Sequence, residues 1–335
     1  MGQSGFSRRH LLQMGAAASL LGRARAEAPP AFLAAEAGTS LLTTDVRLNG
    51  QGPYHFVVDT GADRTVLADT VARDLLFAAS GKINVQGIVR TVEAPSVRIT
   101  KLEAGPVRGE ALDVPILPRE LLQADGFLGL DVLDGHRVVM DFREGVLRLL
   151  EPRPSQLIGF DAPREVPVKL SGSEGRLRST QCLVDGVRCT AFIDTGAEIS
   201  VGNGPLYRAL AEKHPTLRSV ETIPLTGVTG GVVAGDVVAL NGISLGGLSI
   251  LDSRIAIADL QVFRLWDLAE TPALFIGMNW LHRFNRVAID YGRKEMRFDL
   301  AVARPDTRWK CNAPDEDCHY RLGSPYTIPR PSVAT

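Results

Sequence analysis

The sequence predicts an all-β chain folded as two tandem lobes with few short helices. Three observations predict this. Turn formers punctuate the 335 residues densely, with 33 Gly and 20 Pro, and short stretches rich in β-branched residues run between them. One ordered set of motifs occurs twice, once in each half, and a repeat of that kind dictates architecture. Helical patterning is confined to two brief stretches. Hydrophobic residues form 45% of the chain, enough for two cores of ordinary domain size. The net charge of −1 and the lack of a basic stripe remove nucleic acid from the expected partners.

In chain order, residues 1–26 read as an export leader. Ser7-Arg8-Arg9-His10-Leu11-Leu12 is a twin-arginine pattern, an apolar run follows to Gly22, and Ala24-Arg25-Ala26 offers small residues to a signal peptidase. That run is shorter than the roughly 20 residues a membrane span needs, so the expected destination is the periplasm; a leader retained as an anchor is the alternative. The first lobe is expected over 35–150, with strands over 41–48, 54–58, 97–102 and 138–142 and a helix over 68–76. A linker over 151–165 is stiffened by Pro152, Pro154 and Pro163. The second lobe is expected over 166–300, with strands over 166–170, 190–193, 232–240 and 286–290 and a helix over 205–213. Residues 301–335 are polar and Pro-rich and read as a surface tail.

Cys182 and Cys189 flank Asp185-Gly186, a strong two-residue hairpin signal, which would set the two thiols opposite each other. In an oxidising compartment this predicts a Cys182–Cys189 disulfide, and Cys311 and Cys318 suggest a second local bridge. The first would be awkward, because this register spaces the two Cα atoms widely. Free thiols and a zinc site are the rival readings; the spacing is longer than the two to four residues usual for structural zinc pairs.

Two short motifs carry the chemistry. Phe56-Val57-Val58-Asp59-Thr60-Gly61-Ala62-Asp63 is matched by Ala191-Phe192-Ile193-Asp194-Thr195-Gly196-Ala197-Glu198. Each is an apolar strand running into an acid, and a buried acid is costly without a partner. Here each acid has a counterpart in the other half. Paired carboxylates titrate apart, so one serves as base while the other keeps its proton. Ordinary strand-to-turn exits also favour Asp and Gly, but do not account for matching flanks on both copies. Downstream, Gly126-Phe127-Leu128-Gly129-Leu130-Asp131 is matched by Leu274-Phe275-Ile276-Gly277-Met278-Asn279, and Val138-Val139-Met140-Asp141-Phe142 by Val287-Ala288-Ile289-Asp290-Tyr291. The remaining histidines have no metal spacing, and no serine lies in a nucleophile elbow.

At these residues the chain resembles the aspartic proteases, and most closely a bacterial retropepsin-like protease carrying two tandem Asp-Thr-Gly lobes. The resemblance covers roughly 40–150 and 165–300 and implies lobes related by a pseudo-two-fold axis, with a short helix after each apolar-Gly element. It implies catalysis by Asp59 and Asp194 through a shared proton and a bound water, with no metal or organic cofactor. Thr60 and Thr195 would hydrogen-bond across the lobe junction, Gly61 and Gly196 would let the backbone approach the acids, and Ala62 and Ala197 would stand where other members carry serine. Flaps that close over a peptide are expected at Gln86-Gly87-Ile88 and Thr226-Gly227-Val228. Peptide or protein is the expected partner, and because both acids lie on one chain a monomer is expected to be active. One departure is that Leu130 and Met278 stand where retroviral members place Arg, which leaves open what replaces the ion pairs near Asp63 and Glu198. A catalytically silent peptide-binding module and a structural envelope protein on the same fold are the alternatives.

Overall fold

The computed structural model describes residues 41–151, 165–172, 177–300, 320–322 and 326–327. The leader, most of the linker, the Cys311–Cys318 pair and most of the tail lie outside the described residues. The first lobe contains β1 (Thr43–Leu48), β2 (Gln51–Val58), β3 (Val66–Ala68), β4 (Ala79–Gln86), β5 (Thr91–Ala104), β6 (Val107–Leu117) and β7 (Gly126–Leu128). Six of these hydrogen-bond in the order β1-β2-β7-β3-β6-β5, and β5 returns to β1 through Arg47–Glu103 and Leu48–Leu102, which closes a barrel. Closure removes the free sheet edges that short strands would otherwise expose. β4 stands outside the barrel as a hairpin with β5.

After β8 (Arg137–Asp141), β9 (Val146–Leu150) and β10 (Glu165–Lys169), the second lobe repeats the pattern. Its strands are β11 (Arg178–Val184), β12 (Val187–Ile193), β13 (Val201–Gly202), β14 (Ser219–Gly227), β15 (Val232–Leu245), β16 (Leu248–Ile257) and β17 (Ala273–Ile276). The closed order is β11-β12-β17-β13-β16-β15, with β15 returning to β11, and β14 projects as the outer strand of a hairpin with β15. Turn chemistry makes the two barrels alike. Asn49-Gly50 and Asp185-Gly186 have positive φ at both residues, the geometry of a two-residue hairpin whose twist suits the flanking strands. Each first residue also reaches across the closure: Asn49 Oδ1 accepts from the Thr100 and Lys101 amides, and Asp185 from those of Asn241 and Gly242.

The helices are short: α1 (Asp69–Asp74), α2 (Arg119–Leu122), α3 (Leu130–Leu133), α4 (Gly204–Lys213), α5 (Gln261–Leu265) and α6 (Met278–Leu281). Two of them fall where local sequence predicted them. α4 starts at Asn203, whose side chain accepts from the Leu206 amide, with Pro205 in the first turn. α3 and α6 follow the two apolar-Gly elements, as the resemblance implied. α2 and α5 are too short for a periodic signal and were not predicted.

The lobes meet in one antiparallel sheet. With β18 (Arg286–Asp290) and β19 (Glu295–Asp299), its order is β10-β19-β18-β8-β9. β8 and β18, the matched pair of the two halves, lie side by side with Val139 opposite Ala288 at the centre. This register places Arg137 opposite Asp290 and Arg286 opposite Asp141, so the junction carries a reciprocal ion pair at each end. The separations are 3.6 Å for Arg137–Asp290 and 2.7 Å for Arg286–Asp141. Arg286 grips Asp141 Oδ2 through Nε and Nη2, while Oδ1 accepts from the Arg143 and Glu144 amides. Burial pushes the Asp141 carboxyl up, but the Arg286 and backbone hydrogen bonds outweigh it and hold the group below its usual value. A depressed folded-state value means stability that is present above the unfolded value near 4 and is lost as pH falls through the folded one. Asp141→Asn is therefore expected to cost about 3 kcal/mol at pH 7, because it leaves Arg286 facing a neutral partner. The difference from the native chain should shrink by pH 3. Urea unfolding at the two pH values checks this, and an equal difference at both contradicts it.

The cysteine expectation is corrected. Cys182 does stand opposite Cys189 across β11 and β12, but both are free, buried thiols rather than a bridge. Their side chains hydrogen-bond instead, and that bond, with burial, pushes the Cys189 thiol well up.

Candidate active site

Both Asp-Thr-Gly loops leave the end of a barrel strand, β2 in one lobe and β12 in the other, each flanked by the parallel strand of its apolar-Gly element. That neighbour fixes the loop. The Asp59 amide donates to the Leu128 carbonyl and the Asp194 amide to that of Ile276, at 3.0 Å each. The glycine after each pair of apolar residues is needed for close approach. A Cβ on Gly129 would lie 2.4 Å from the Arg64 carbonyl carbon, and one on Gly277 would lie 2.5 Å from the Ile199 carbonyl oxygen.

The two loops face each other. Asp59 and Asp194 are fully buried. Asp59 Oδ1 accepts from the Gly61 and Ala62 amides at 2.8 and 3.1 Å, and Asp194 Oδ1 accepts from Gly196 at 3.0 Å. Asp59 Oδ2 is turned toward the opposite loop, where a Cβ added to Gly196 would stand only 2.4 Å from it. Glycine is thus required at 196 for space, since any side chain would displace the carboxylate. The threonines lock the junction reciprocally. Thr60 Oγ1 donates to the Ile193 carbonyl and accepts from the Thr195 amide, while Thr195 Oγ1 donates to the Val58 carbonyl and accepts from the Thr60 amide, all within 2.6–3.1 Å. Ala62 and Ala197 are fully buried behind the loops. Beneath the site lies Tyr291, whose hydroxyl is pushed well up by burial, with the charges of Asp59 and Asp134 adding to the effect.

A supporting pair went unassigned in the sequence. Asp131 Oδ1 accepts from the Thr65 amide and hydroxyl, and Thr65 Oγ1 accepts from the Gly129 amide. In the other lobe Asn279 Oδ1 accepts from the Ser200 amide and hydroxyl, and Ser200 Oγ accepts from the Gly277 amide. Burial pushes the Asp131 carboxyl up, outweighing the bonds from Thr65 and the charge of Arg64. The usable signal was the matched spacing, with Asp131 two residues after Gly129 and Asn279 two after Gly277. Leu130 and Met278, which stand in place of Arg, are buried, and their amides donate to Ala62 and Ala197. Backbone bonding therefore braces each loop at these positions.

The six expected flap residues lie at the tips of the β4–β5 and β14–β15 hairpins, and the tips touch. Arg90 Nε donates to the Thr229 carbonyl and Thr229 Oγ1 donates to the Arg90 carbonyl, both at 2.8 Å. Gly87 passes so close to Thr229 that a Cβ there would lie 1.9 Å from its hydroxyl oxygen. Ile88 of the first hairpin is buried within the second lobe's cluster around Ile199, Ile223 and Leu225, and Val228 is buried too. Thr229 lies in the glycine-rich stretch 225–231 that the sequence offers as the second flap, whereas Arg90, its partner in the latch, was not singled out. Among the described residues no group of three His, Cys, Asp or Glu side chains converges as a metal site, and no helix is long and apolar enough to cross a membrane.

The chain matches the family described as "Aspartyl protease" over residues 44–132 and 180–280, one segment in each lobe. No curated protein matches it. Among solved structures it is similar to a retropepsin-like aspartic protease from Rickettsia conorii, with 19% identity and a TM-score of 0.30, over 42% of this chain and 93% of that one.

Proposed function

The chain belongs to the aspartyl protease family, and from that premise we propose that it is an aspartic endopeptidase in which Asp59 and Asp194 act as one dyad. The observation that carries this reading is the placement of the Asp59 carboxylate against Gly196 of the opposite loop. It is supported by the reciprocal threonine bonds that hold the loops in register. The two acids share one proton and hold a water. The ionised carboxylate takes a proton from that water as it attacks the peptide carbonyl, and the protonated partner donates a hydrogen bond to the carbonyl oxygen as it becomes an oxyanion. The backbone donors at Gly61, Ala62 and Gly196 fix the orientation of both carboxylates, so little reorganisation accompanies the reaction.

Both acids lie on one chain, so one copy holds a complete site. The test is digestion of a proteome-derived peptide library. Cleavage that is blocked by a statine-type transition-state analogue, with specific activity unchanged on dilution, is the expected result. Peptide binding without any cleavage would instead identify a silent binding module.

A further inference from the structure

Two short strands from the C-terminal region lie on the two hairpins whose tips touch. β20 (Tyr320–Leu322) pairs in parallel with β14, setting Tyr320 opposite Leu225, Arg321 opposite Thr226 and Leu322 opposite Gly227. β21 (Tyr326–Thr327) pairs antiparallel with β4, setting Tyr326 opposite Gln86 and Thr327 opposite Val85. β14 and β4 are the outer strands of their hairpins, so these are the edges the barrels leave open. Three of the flap residues expected to meet substrate, Gln86, Thr226 and Gly227, are therefore paired with the chain's own C-terminal region.

β4 and β14 hold equivalent outer positions in the two lobes, and β20 and β21 engage them in turn, parallel to β14 and antiparallel to β4. Leu322 and Tyr326 are four residues apart, a reach of at most about 14 Å. β20 and β21 therefore bond both hairpins next to their touching tips. Addition of a strand to an open edge is a general mode of peptide capture, with affinity from main-chain bonds.

We infer that β20 and β21 together act as an intramolecular ligand of the peptide-binding edges of β14 and β4, which a substrate peptide must displace. This rests on the peptidase reading for the identity of the competing ligand. It also assigns a polarity, with the N-terminal part of a bound peptide on the second lobe's hairpin and the C-terminal part on the first. A tethered segment has an effective concentration on the order of 1 mM. A free peptide of the same sequence binding its vacated edges at about 0.1 mM would then be weakened roughly tenfold by the tether.

The test uses Asp59→Asn chains, so that binding is read without turnover, and a fluorescent synthetic peptide of residues 319–330 as probe. Three chains are compared by anisotropy: full length, one ending at residue 319, and full length with Leu322→Pro and Tyr326→Pro. Proline removes a ladder donor and breaks the pairing without shortening the chain. Both altered chains should bind the probe at least tenfold more tightly than the full-length chain, and a scrambled peptide should bind none. Equal binding to all three, or no binding to either altered chain, overturns the inference. In chains that retain Asp59, the same changes should lower KM for a cleaved peptide and leave kcat unchanged. Probe binding that follows the expected order without turnover in any chain would reject the peptidase reading while sustaining this one.

Discussion

Replacing Asp59 by Asn is expected to lower turnover on the order of 10⁴-fold or more, and Asp194→Asn to do the same. The reason is specific to this site. The Asn side chain keeps an Oδ1 acceptor for the Gly61 and Ala62 amides, or for Gly196 at the second position, so the loop geometry survives. The change replaces the second oxygen by an NH₂ group, which cannot exchange the shared proton. Stability should accordingly stay within about 1 kcal/mol of the native chain, well inside the effect of an ordinary substitution. Residues that act as a unit are non-additive, so the double variant should be little worse than either single one. The measurement is kcat/KM on a cleaved library peptide beside a urea unfolding curve. A single variant retaining more than a tenth of native turnover would refute the shared dyad.

Thr60→Val should show the largest loss of stability among the loop residues. Valine matches threonine in shape, so the change removes one hydroxyl and little packing. That hydroxyl serves two buried backbone groups of the other lobe, the Ile193 carbonyl and the Thr195 amide. Each buried group left without a partner costs about 1–3 kcal/mol, giving an expected loss of about 2–6 kcal/mol for the two. Activity should fall more than tenfold, because the bonds also hold the two acids in register. Thr60→Ser keeps the donor and acceptor and should restore most of both. Thr195→Val serves as the mirror experiment through Val58 and Thr60. The double variant tests coupling across the junction, where residues in one hydrogen-bond network deviate from additivity by 0.5–3 kcal/mol. A Thr60→Val chain within 1 kcal/mol of native stability would show that the junction does not depend on this exchange.

Much of the architecture was legible because its signals are local. Asn49-Gly50 and Asp185-Gly186 set two hairpins through backbone preferences that their neighbours do not override. Pro205 lies in the first turn of α4, where the helix was expected to begin, and β18 lies where its apolar run predicted it. Longer strands were read short. β5 and β15 extend well beyond 97–102 and 232–240, because the barrel and the hairpins supply partners along their length that a window of sequence cannot see. Sequence spacing placed Cys182 and Cys189 opposite each other correctly, but not as the free thiols they are.

The sequence by itself determined the duplication, the all-β class and the two acids, since each is written in contiguous residues whose order repeats. Tertiary structure alone decided what those residues meet. The crossed threonine bonds, the approach of Asp59 to Gly196, the Arg286–Asp141 and Arg137–Asp290 pairs and the Arg90–Thr229 latch all join residues more than 130 positions apart. No local propensity encodes such contacts. They arise when two closed barrels share one sheet and bring equivalent loops to a common axis, and the same closure leaves β4 and β14 outside the barrels with edges that the C-terminal strands take.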